Sequence, residues 1–167
     1  EQTRIHGEII ARPILERGFD FDGRQVVLIA PQGIFTPQIL ALPLTFCTVP
    51  PQLRQPRPYD DELGEDGLMR YRYRGTDPEH RDNVGLRTTM RLQIPLIYLF
   101  GIIPGQYMPI WPVYIVGDDP RGLTFTVMVD DKAAAQIAPG RVKETGLELK
   151  RRYITVETQQ RLHQASF

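Results

Sequence analysis

Between Tyr59 and Gly75 the sequence reads Tyr-Asp-Asp-Glu-Leu-Gly-Glu-Asp-Gly-Leu-Met-Arg-Tyr-Arg-Tyr-Arg-Gly. An aromatic ring, Tyr59, stands beside the acids Asp60, Asp61 and Glu62. A glycine-bearing turn then leads into a segment alternating Arg70, Arg72 and Arg74 with Tyr71 and Tyr73. Aromatic faces stack on a nucleobase, a carboxylate accepts from an exocyclic amino group, and guanidinium groups pair with phosphate or guanine. A solvated acidic turn running into an ordinary edge strand uses the same residue types. The flanking sequence therefore carries the decision.

Other chemistries find little support. The three histidines, His6, His80 and His163, lack metal-ligand spacing, and no HExxH, P-loop, GxSxG or dinucleotide fingerprint is present. The acids Asp60, Asp61, Glu62, Glu65 and Asp66 do not follow the calcium-loop pattern, because no bidentate Glu comes at the right distance. No cofactor, metal or catalytic centre is expected. The single Cys47 lies in an apolar stretch and reads as a small buried hydrophobe rather than a reactive thiol. His80 sits in the polar segment Thr76–Asn83, either as an exposed loop residue or, with Arg81, as a phosphate contact.

These residues need a frame. Fifteen prolines and fourteen glycines leave little room for long helices. Apolar, β-branched runs between the breakers read as strands over Val26–Ala30, Leu42–Thr48, Leu68–Arg74, Leu96–Ile103, Tyr107–Gly117 and Leu123–Val129. Short strands joined by Pro/Gly turns predict an α+β, mainly β fold with a curved or closed sheet and a few short flanking helices. One helix is expected over Asp82–Arg91 with Asp82 as N-cap, and another over Asp130–Ile137. Tyr71 and Tyr73, two apart, share one face of their strand, one in the core and the other lining a cavity. The segment Gly33–Ile39 reads as a loop presenting Gln38 and Ile39, or as a plain connection with its apolar residues packed inward. The proline-rich stretch Val49–Pro58 is stiff and extended and delivers Tyr59 and the acids.

The chain of 167 residues suits one ordinary domain, with 41% hydrophobic and 24% charged residues. No apolar run reaches the roughly 18 residues of a membrane span, and no signal peptide opens the sequence, so a cytoplasmic location is expected. Net charge is zero, which at first argues against a nucleic-acid partner. The cations are nevertheless mostly Arg, seventeen of twenty, and eight lie between Arg54 and Arg91 among eight acids. Arg-rich coding bias explains this as well as planar recognition of phosphate or guanine does. Residues 1–140 read as the domain. Residues 141–167 read as a basic connector, with Lys150-Arg151-Arg152, and the start of a helix leading into a longer protein.

The order Gly33-Ile-x-x-Pro37, Tyr59-Asp-Asp-Glu, a glycine-bearing turn, Tyr73-Arg-Gly75 and Asp82-Asn-x-x-Leu86 resembles the SRA (SET and RING associated) domain over about residues 26–117. The resemblance implies a curved PUA-like β-barrel that flips a modified cytosine out of duplex DNA into a pocket. By position, Tyr59 and Tyr73 would stack on the base, with Tyr71 nearby, and Asp61, Asp60 or Glu62 would accept from its amino group. Gln38 and Ile39 would approach the gap left in the duplex, and Arg57, Arg72, Arg74, His80 and Arg81 would contact DNA. The tail looks like the connector of bacterial SRA–HNH modification-dependent restriction endonucleases, so a C-terminal nuclease, and a homodimer formed through it, would lie beyond this chain. The partner would be double-stranded DNA bearing 5-methylcytosine or 5-hydroxymethylcytosine, with no membrane involved.

This sequence departs from the family pattern in three ways. Fourteen residues separate Tyr59 from Tyr73, about two more than the family has, which leaves open which acid faces the base. Arg57-Pro58 replaces a glycine pair, and the segment after Gly75 is short, so the finger that probes the opposite strand is not expected. A PUA-like RNA-binding domain of an RNA-modifying enzyme shares the barrel and the Arg–Tyr strand. A non-nucleic-acid interaction domain fits the net neutrality.

Overall fold

The computed structural model describes residue 7, residues 9–48, the backbone of 62–63, and residues 68–129. Several expectations lie outside them: the Pro-rich stretch with Arg57, the residues Tyr59, Asp60 and Asp61, the side chain of Glu62, the helix at 130–137 and the C-terminal connector.

The described chain is mainly β, with a curled half-barrel sheet and few helices. In chain order the elements are β1 (Ile10–Ala11), α1 (Arg12–Arg17), β2 (Phe19–Phe21), β3 (Arg24–Val26), β4 (Ile34–Phe35) and β5 (Thr45–Cys47). There follow β6 (Glu62–Leu63), β7 (Met69–Arg72), α2 (Arg81–Leu92), β8 (Leu96–Ile103), β9 (Gln106–Asp119) and β10 (Thr124–Val129). Eight strands form one sheet in the order β4-β5-β8-β9-β10-β7-β6, with β1 added to β9; β2 and β3 form a separate hairpin. Only the β5–β8 pair of that sheet is parallel.

The apolar run of β8 has a physical reason. Its Leu96, Tyr98, Phe100 and Ile102 enter the main core, while Leu99, on the opposite face, enters a second core with Ile10, Leu15, Leu28, Ile29 and Tyr107. A strand buried on both faces has no polar alternation to show. Curvature comes from β9. Between the rungs Leu96–Val113 and Tyr98–Ile110, one residue of β8, Ile97, opposes two of β9, so the Trp111–Pro112 pair sits in a bulge. A second register shift falls at Thr126/Val127, opposite Gly117 and Ile115. Each bulge bends and twists the strand. Proline, which cannot donate to a ladder, is accommodated at such a point.

Four expectations need correction. Residues 27–30 are not a strand: Leu28 donates its N–H to the Leu15 carbonyl and accepts from the Thr45 hydroxyl. The run is apolar because it is buried beneath α1, not because it joins a ladder. Gly33–Ile39 is not wholly a loop, since Ile34 and Phe35 pair with Phe46 and Thr45. Asp82 is not the N-cap of α2; His80 holds that place, its Nδ1 accepting from the Asp82 N–H at 3.2 Å. The carboxylate of Asp82 is thereby left to pair with arginines. Cys47, expected to be buried, is half-buried against the second core. Helix α1 ends at Gly18, where φ is 64° and a Cβ would collide with the Val26 carbonyl, so only glycine fits.

Candidate nucleic-acid interface

Strand β7 has the alternation that its sequence predicts. Met69, Tyr71 and Tyr73 point inward, Arg72 is exposed and Arg70 half-buried. On the neighbouring strand Phe125 stands opposite Tyr71 and Thr124 opposite Arg72, so inner and outer faces match across the ladder. Beyond β7 lies β6, where Glu62 pairs with Arg70 and Leu63 with Met69. The backbone at the end of the acidic run therefore lies directly beside the Arg–Tyr strand.

Both tyrosines are buried in the main core. Tyr71 meets Phe46 edge-on at 4.8 Å, and its hydroxyl donates to the Cys47 carbonyl at 3.3 Å. Gly33 is close by; a Cβ there would stand 3.2 Å from the Tyr71 oxygen. The Tyr71 ring braces β7 against β5. Tyr73 is 5% exposed and stacks on Phe125, with ring centroids 4.4 Å apart and an interplanar angle of 27°. One of its two faces is thus taken.

The Tyr73 hydroxyl ends in a charged network that the sequence reading missed. It donates to Asp118 Oδ1 and accepts from Arg87 Nη2 at 3.3 Å. Arg87 also donates through Nε to Asp118 Oδ2 at 2.7 Å, through Nη2 to the Pro78 carbonyl at 3.2 Å, and through Nη1 to Glu79 at 3.3 Å. Burial, then the hydrogen bond to Asp118, raises the Tyr73 pKa above the ordinary phenol value. The hydrogen bonds to Asp118 and Tyr73 raise that of Arg87, which stays charged at every accessible pH. Arg87 and Asp118 lie 31 positions apart, and neither forms part of a motif.

After Tyr73 the chain is locked by Asn83, which is fully buried. Its Oδ1 accepts from the Arg74 N–H at 2.9 Å, and its Nδ2 donates to the carbonyls of Arg74 and Asp77 at 3.0 and 2.8 Å. Asp82, 5% exposed, pairs with Arg74 and, at 3.4 Å, with Arg81. Arg74, His80 and Arg81, all expected to contact DNA, are therefore gathered around one buried carboxylate, with Arg81 the most exposed of the three.

The remaining expected contacts lie at the tip between β4 and β5. The Leu40 N–H closes a turn on the Pro37 carbonyl at 2.9 Å, leaving Gln38 exposed, Ile39 half-buried and Leu40 exposed. Pro43 packs so close to Gly85 of α2 that a Cβ there would stand 2.9 Å from the proline ring. The tip is thereby tied to the same helix that carries Arg87. Among the described residues there is no group of three His, Cys, Asp or Glu that could hold a metal ion, and no helix is long and apolar enough to cross a membrane. No protein-family model, curated protein or solved structure matches this chain.

Proposed function

We propose that this chain is an SRA-like module that binds double-stranded DNA carrying a modified cytosine and draws that base out of the duplex. The carrying observation is the ladder pairing of Glu62 with Arg70, which sets the backbone of Glu62 beside β7, the strand that leads into Tyr73. The curled half-barrel is the kind of frame that this reading needs.

The chemistry follows from the residues. Extruding a base costs a few kcal/mol of pairing and stacking, which the protein must return. An aromatic face contributes about 1–3 kcal/mol per stacked base. Tyr59 would supply one face. The face of Tyr73 opposite Phe125 would supply the other; Tyr73 is 5% exposed, so this reading requires the surrounding chain to open and admit the base. An acid among Asp60, Asp61 and Glu62 accepts from the cytosine amino group and so rejects thymine, which presents an acceptor there. Arg74, His80 and Arg81 meet phosphates, and Gln38 with Ile39 faces the vacated stack. In a longer protein such a module would deliver a nuclease to modified DNA.

The test compares duplexes that differ only in one cytosine: unmodified, 5-methyl or 5-hydroxymethyl. Preferential binding of a modified duplex, lost in Asp61→Ala, is expected. Arg81→Ala should weaken all three duplexes alike, because phosphates carry no sequence. Preference retained in Asp61→Ala moves the acceptor role to Asp60 or Glu62. Equal or absent binding across the three duplexes overturns the reading.

A further inference from the structure

We infer that Arg87 and Asp118 are positioning residues that fix the Tyr73 ring as a base-stacking wall and tie it to the segment bearing His80 and Arg81. This rests on the modified-cytosine reading and extends it to residues that no motif marks.

A stacking wall must keep its plane when a base presses on it. Phe125 supports one face of the Tyr73 ring. Asp118 is the ladder partner of Phe125, so the supporting ring and the carboxylate that accepts from the Tyr73 hydroxyl come from one rung of the sheet. The hydroxyl has one proton to donate, which goes to Asp118, and it accepts from Arg87. Both bonds involve charged partners, the stronger class of hydrogen bond. Moving the ring along or out of its stack therefore breaks two charge-assisted contacts at once.

Arg87 extends the arrangement. An arginine serving only to pin α2 to the sheet would need no more than Asp118. This one also holds the Tyr73 hydroxyl, the Pro78 carbonyl and Glu79. Pro78 and Glu79 immediately precede His80 and Arg81. One guanidinium thus links the base wall to the segment proposed to meet the DNA backbone.

The test uses the full chain and duplexes containing one 5-methylcytosine or one cytosine, with 2-aminopurine beside the target base to report its departure from the stack. Tyr73→Phe is the mild variant, because it keeps the ring, the Phe125 stack and the Arg87–Asp118 pair. Asp118→Asn is the second. Each should bring the ratio of methylated to unmethylated affinity down towards one. Each should also reduce 2-aminopurine brightening at saturating protein, with melting temperatures measured in parallel. Wild-type ratio and brightening in both variants would overturn the positioning role alone. So would a loss shared equally by both duplexes, which is what a merely structural contact produces. A wild-type chain that does not distinguish the duplexes overturns the underlying reading instead.

Discussion

At the residue scale, the most consequential side chains are polar ones in places the hydrophobic pattern assigns to the core. Asn83 has no exposure and satisfies three backbone groups of residues 74 and 77. Each of these groups, left buried without a partner, costs about 1–3 kcal/mol. Asn83→Ala should therefore lower the unfolding free energy by about 3 kcal/mol or more in a urea titration; a loss below about 1 kcal/mol would show that water replaces the side chain. Tyr73 makes a pH prediction. Its folded pKa is raised by burial and then by the bond to Asp118, and that of Tyr107 is raised chiefly by burial. A raised phenol contributes stability that is complete below the unfolded value near 10 and is lost as pH rises through the folded value. Stability should accordingly fall on the alkaline side of about pH 10, and Tyr73→Phe should flatten part of that fall. An unchanged slope in the variant would contradict the assignment. The Tyr71–Tyr73 periodicity was readable, because residues two apart on a strand share a face. Their partners were not: Phe46, Phe125, Arg87 and Asp118 are brought in by the fold from 14 to 52 positions away, and no local spacing encodes them.

At the element scale, legibility followed length and burial. The bounds of β8 agree with the apolar run Leu96–Ile103, and β9 and β10 differ from expectation by one or two residues at their ends. Long apolar runs bounded by Pro and Gly leave few alternatives. Helix α1 escaped because six residues show too little of a helical period, although Pro13 in its first turn suits a helix start. The β2–β3 hairpin has an Asp22-Gly23 turn with both residues at positive φ, a legible signal not used in assigning strands. Two-residue strands such as β1, β4 and β6 exist only through their partners. Trp111, the chain's one tryptophan, is 63% exposed in the β9 bulge. Its emission should be red-shifted and quenched by iodide nearly as in the unfolded chain, and Trp111→Ala should change stability by less than about 0.5 kcal/mol. Blue-shifted, shielded emission would place the ring inside and contradict the bulge.

At the scale of the whole molecule, a half-barrel with two cores gives the chain both rigidity and a working edge. The main core lies on one face of β8, and the second, which includes Leu15 of α1, lies on the opposite face. Helix α2 ties the tip at Gln38 to the network around Tyr73 by contacts with Pro43 on one side and Asp118 on the other. With a net charge of zero, affinity for DNA should come from a few placed arginines rather than from a general field. Binding of unmodified duplex should be weak and should fall only modestly with salt, as few phosphates are neutralised, while the preference for a modified base should change little. Base stacking and a carboxylate contact release no counterions. The most direct measurement is an equilibrium titration of this chain against two duplexes identical but for one methyl group on cytosine, at two salt concentrations. The account predicts tighter binding of the methylated duplex at both, by about fourfold, the worth of burying one methyl group at about 0.8 kcal/mol. Indistinguishable affinities at both salts would contradict it.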